Sequence, residues 1–248
     1  MTTMKPHPDR DVDQGLRFLY SLRKDPAESE YYEVKGKWEQ QHQVFKQTQY
    51  LVSILFKKIG WDDLSQKIRS INRPEDEDND PPRKGHRAGD RWCVLEGRTD
   101  LFDPQLVRHA REGVTEGKGN DEIALMALYC ILKAEGLPPH PLAKSFRQNA
   151  EILWNTVKKR YDPSKGVLEM DKADRENNSH SVYKVALLGI LAKRMNDTET
   201  LESVRRNLRS WRDKPTGGWQ TERTLQLKPG GLINAETTAM ALLALADC

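Results

Sequence analysis

The stretch Asn234-Ala235-Glu236-Thr237-Thr238-Ala239-Met240-Ala241-Leu242-Leu243 carries the strongest fold signal in the chain. An Asn at its head offers a side-chain oxygen to a free N–H of a first helical turn. The residues after it are apolar or Ala on nearly every side, the pattern of a helix buried between neighbours. The same opening occurs in Asn120-Asp121-Glu122-Ile123-Ala124-Leu125-Met126-Ala127-Leu128 and in Asn178-Ser179-His180-Ser181-Val182-Tyr183-Lys184-Val185-Ala186-Leu187. These starts are 58 and 56 residues apart. A weaker fourth copy begins at Phe45, 75 residues before Asn120, and leaving out the 18 residues 73–90 brings that interval to 57.

A more amphipathic helix precedes each dense one: 12–22, 61–71, 142–161 and 201–211, with dense partners at 44–59, 123–134, 182–192 and 237–245. Between the two helices of each unit lies a Gly followed by a bulky apolar residue, at Gly36/Trp38, Gly89/Trp92, Gly166/Val167 and Gly218/Trp219. The tryptophans read as turn packing onto the adjacent hairpin. Units of this kind cannot cover their apolar faces alone and must stack. No Val/Ile/Thr alternation lasts more than a few residues, so strand signals are weak. The expected fold is all-α, about four stacked helical hairpins forming one domain over 1–248. The insert at 73–90, rich in Pro and charge, is expected to be disordered.

Composition narrows the function classes. With 40 Lys+Arg against 37 Asp+Glu the net charge is +3, which argues against nucleic acid as an electrostatic partner. Hydrophobic residues make up 37%, and no apolar run approaches the ~18 residues of a membrane span. The opening residues lack the apolar core of a secretion signal. Three Cys with no close pairing point to a reducing compartment, so a cytoplasmic location is expected. Cys130, inside an apolar helix, reads as a buried inert thiol.

The stretch 234–240 resembles the Asp-x-Asp-Asp-Thr-Ala-Met signature of class II terpene cyclases, and Gly217-Gly218-Trp219-Gln220 resembles the Gly/Gln/Trp turn of squalene-cyclase-type repeats. The hairpin period is similar to that of the wider superfamily of terpenoid cyclases, protein prenyltransferase β subunits and complement-like thioester domains. This resemblance implies an α/α toroid, here a partial one, with inner helices ringed by outer helices around a cavity. Ser179-His180-Ser181-Val182-Tyr183 is similar to the prenyltransferase step that carries a zinc-binding His. Asn234 and Thr237 stand where the cyclase signature has acids, no Asp-x-Cys occurs, and the thioester motif is absent, which excludes that branch.

The third residue of each dense-helix motif is Glu122, His180 or Glu236, with Gln47 at the matching place in the first copy. In stacked hairpins these positions converge on one cavity, where related families keep a general acid or a zinc ligand. Two carboxylates and an imidazole suit acid–base work or a divalent metal, zinc or magnesium being the candidate cofactors. A helix's first turn also favours Glu for capping alone. Asp121, Glu222 and Arg223 are candidate ligand-binding residues, the latter two where loops of such a fold rim the cavity mouth. Three functions stay open: a cyclase- or prenyltransferase-like cavity protein binding a small or isoprenoid-like ligand, whether or not it is an enzyme; an interaction scaffold whose open toroid edge docks a partner protein or a second copy; and a carbohydrate-active hydrolase or lyase.

Overall fold

Long buried runs build the centre of the molecule. In the structure, a computed structural model describing residues 6–23, 46–71 and 92–246, four helices bury side chains around most of their circumference. They are α2 (Lys46–Lys58), α5 (Asn120–Gly136), α8 (Val182–Arg194) and α10 (Ala235–Leu245). Residues 51–56 of α2 and 123–130 of α5 are buried without a break. Helix α8 packs against α5 and α10, and α10 packs against α2.

Each of these helices is covered by an amphipathic one. Helix α3 (Asp62–Ile71) packs on α2, α6 (Pro141–Lys159) on α5, α9 (Thr198–Trp211) on α8 and α1 (Arg10–Ser21) on α10. In α6 the buried residues Ala143, Phe146, Ala150, Leu153, Trp154 and Val157 recur at helical spacing, giving one apolar stripe. The sequence pattern pairs each dense helix with the amphipathic one before it. Packing instead favours the next helix in the chain for α2, α5 and α8, while α10 takes α1. Two shorter helices were not foreseen: α4 (Pro104–Glu112), which leans on α5, and α7 (Lys172–Asn177).

The molecule is mainly α, as expected, and five short strands accompany the helices among the described residues. Strands β1 (Tyr161–Asp162) and β2 (Val167–Leu168) form a hairpin around Gly166, whose φ of +76° suits glycine. Strands β3 (Ser179–Ser181), β4 (Gln220–Thr224) and β5 (Pro229–Ile233) form an antiparallel sheet in that order. His180 pairs with Arg223 and Ser181 with Glu222. Strands of two to five residues, several made of Ser, His, Gln, Thr and Glu, are too short and too polar to show apolar alternation. The expected disordered insert at 73–90, the Gly36/Trp38 turn, Gly89 and Cys248 lie outside the described residues. Among the described residues no helix is long and apolar enough to cross a membrane.

Candidate functional site

A cavity of about 1100 Å³ opens where α2, α5 and α8 begin. Gln47, Asp121, Glu122, Tyr183 and Lys184 line it together with the start of α4, the link 169–171 and one face of α7. Its floor is built on Asp171. One carboxylate oxygen accepts the Asn120 backbone N–H at 3.0 Å and the other accepts that of Asp174 at 3.2 Å. The Lys184 ammonium lies 2.9 and 2.8 Å from the two Asp171 oxygens and 2.9 Å from Asp174 Oδ1. Ser181 also donates to Asp174 Oδ1, at 2.6 Å. One carboxylate thus joins the start of α5, the N-cap of α7 and the first turn of α8.

The wall above is equally knitted. The Asn120 side chain donates to Glu169 O at 2.8 Å and accepts from Arg160 Nη1 at 3.0 Å. Tyr183 Oη donates to Asp121 Oδ2 at 3.1 Å, and its ring stands edge-on to the buried Trp92. Burial pushes the Asp171 carboxyl up, but the Lys184 ammonium and the two backbone N–H groups outweigh it, leaving the group below the ordinary aspartate range. Burial likewise opposes the Lys184 charge, yet Asp171 and Asp174 more than reverse this and raise its pKa.

The three motif Asn residues are not equivalent, which corrects the expectation of shared N-caps. Asn234 is the N-cap of α10, accepting the Thr237 N–H at 2.8 Å. Asn120 is already helical, behind the flanking Gly119. Asn178 ends α7 in the left-handed conformation at φ +50°, a place Asn tolerates, and three strand residues separate it from α8. Glu122, His180 and Glu236 therefore occupy different local positions. Glu122 lines the large cavity and caps α5 by accepting the Gly119 N–H at 2.9 Å. His180 sits in β3 with Nδ1 3.0 Å from Leu168 O, and lines a second cavity of about 490 Å³. Glu236, in the first turn of α10, lines neither cavity.

Asp121 borders the large cavity. Glu222 and Arg223 are strand residues of β4 and border neither cavity, and Arg223 Nη2 donates to Leu227 O while its guanidinium lies 5.3 Å from the Trp211 ring centre. Among the described residues no group of three His, Cys, Asp or Glu side chains could hold a metal ion.

Sequence reasoning missed Asp171, Asp174 and Lys184. Lys184 carried a signal: it interrupts the run Val182-Tyr183-Lys184-Val185-Ala186, and a lysine inside a dense apolar helix demands a buried partner. Comparisons with protein families, curated proteins and solved structures find no match.

Proposed function

We propose that this chain is a partial α/α toroid, akin in architecture to terpenoid cyclases and protein prenyltransferases, that binds a small polar ligand in its large cavity. The toroid reading draws support from four dense helices, each covered by an amphipathic partner, with the cavity at the starts of three of them. The ligand reading rests on one observation: carboxylates and cations make up about half of the cavity lining. An isoprenoid chain would strip water from these charges without replacing their hydrogen bonds, which is unfavourable. A ligand dense in hydroxyl, amide or carboxyl groups exchanges water for matched donors and acceptors. Aromatics at 7% of the chain also offer few π faces to a hydrocarbon cation.

In this reading Asp121, oriented by Tyr183, is the carboxylate that accepts ligand hydroxyls and serves as the base of any acid–base step. Glu122 borders the same space while holding the start of α5. His180 and Glu236 take no part in this cavity. The test is backbone amide shift mapping with polyols, monosaccharides and uronic acids, run beside farnesyl diphosphate. Saturable shifts at Asp121, Tyr183 and 169–171, abolished in Asp121→Asn, are expected from a polar probe. Shifts from farnesyl diphosphate alone, or shifts away from these residues, overturn the reading.

A further inference from the structure

The second cavity adjoins the first at Arg160 and Glu169 but has a more apolar lining. The buried Val167 and Leu168 of the β1–β2 hairpin border it on one side, and Leu225 and Leu227 of the β4–β5 turn on another. His180 and Gln226 border it between these leucines, and the charged Arg160, Asp162, Lys165 and Glu169 form its polar rim. Leu168 O can only accept, so the imidazole donates from Nδ1, and in the neutral ring the lone pair lies on Nε2. That fixes the tautomer and orientation of a ring whose other nitrogen is a hydrogen-bond acceptor.

The turn opposite is held in an uncommon shape. Leu227 has φ +60°, a left-handed conformation that a bulky L-residue adopts only under constraint. Two hydrogen bonds impose it: Leu227 N–H donates to Thr224 O at 2.8 Å, and Arg223 Nη2 donates to Leu227 O. Strained non-glycine residues of this kind gather at ligand clamps. Leu225 beside it is 51% exposed, so apolar surface borders this cavity at a cost in hydration.

We infer that this cavity is a binding site for a small alcohol or phenol, whose O–H donates to His180 Nε2 and whose apolar body packs against Val167, Leu168, Leu225 and Leu227. The inference does not rest on the polar-ligand reading of the large cavity, which this site adjoins at Arg160 and Glu169.

The probes are 4-methylphenol and toluene, which differ by one hydroxyl, titrated into the full chain and followed by amide shifts and by the imidazole 15N resonances. Both are expected to move residues 167, 168, 180 and 225–227. The phenol should bind about fivefold more tightly, the effect of one hydrogen bond, and should shift Nε2 while toluene does not. His180→Phe keeps a ring but has no lone pair, and should abolish the phenol's advantage while retaining toluene. Leu225→Ser, at a half-exposed position that leaves folding intact, should weaken both probes severalfold. Should His180→Phe not fold, the wild-type Nε2 shift decides alone. Perturbations elsewhere, no saturable binding, or an unshifted Nε2 would overturn the inference.

Discussion

Lys184 shows what one residue contributes at the cavity floor. Its side chain is 4% exposed, and its ammonium contacts Asp171 and Asp174, themselves 7% and 4% exposed. Burying these charges is costly, and their mutual pairing, with the N–H and hydroxyl donors on the two carboxylates, offsets it. Lys184→Met leaves two carboxylates facing each other without a cation. It should lower unfolding free energy by roughly 3–5 kcal/mol, read from urea denaturation, and Asp171→Asn on top of it should recover part of the loss. The pH dependence has two limbs. Because the folded pKa of Asp171 is depressed, its stabilisation is complete above about pH 4 and is lost as pH falls through the folded value. Lys184 is raised, so its share is complete below about pH 10 and is lost as pH rises through the folded value. Lys184→Met should flatten the alkaline limb of stability against pH; an undiminished limb would mean the ammonium is not held as described.

Between elements, α1 comes close to α10 at Gly15. A Cβ on Gly15 would come within 2.7 Å of Leu242 Cδ2 and 2.8 Å of Trp219 Cζ3. The leucine methyl can turn aside, but Trp219 is fully buried and its Nε1 donates to Leu208 O at 2.7 Å, so the ring is fixed. Gly15→Ala gains about 1 kcal/mol of helix propensity and loses about 1–3 kcal/mol to overpacking. A net destabilisation of about 1 kcal/mol is expected, measurable as a lower Tm.

Dense helices such as α10 were legible because burial on all sides leaves no polar face, and that shows in an uninterrupted run of Ala, Leu and Met. The starts of the helices were not legible to the same degree. Asn at 120, 178 and 234 is one residue type serving in three ways, and neighbours distant in sequence decide which. Asp171 captures the backbone at Asn120, and strand β4 claims residues 179–181 by pairing. His180 consequently faces a different cavity from Glu122. The Asp171–Lys184 floor spans residues whose meeting depends on that tertiary arrangement, and only the isolated lysine hinted at it.

Across the molecule, α1 is packed beneath the last described helix and pinned to the end of α9. Arg209 reaches Asp9 at 3.0 Å and Arg212 reaches Asp11 at 2.8 Å. The apolar contact should dominate. Leu19→Ala, at a fully buried site, should cost about 2–5 kcal/mol and lower hydrogen-exchange protection in α1 and α10 together. Arg209→Ala, an exposed pair, should cost less than about 1 kcal/mol, checked in the same denaturation experiment. The buried Cys130 adds an intrinsic reporter of such motions. Its Sγ lies 3.5 Å from Ala110 O between α5 and α4, and burial pushes its pKa up to about 12. A thiol so shielded is alkylated only while those helices part. With Cys93 and Cys248 changed to serine, the pace of iodoacetamide uptake becomes a stopwatch for breathing at this seam, read at a thiol the chain already carries.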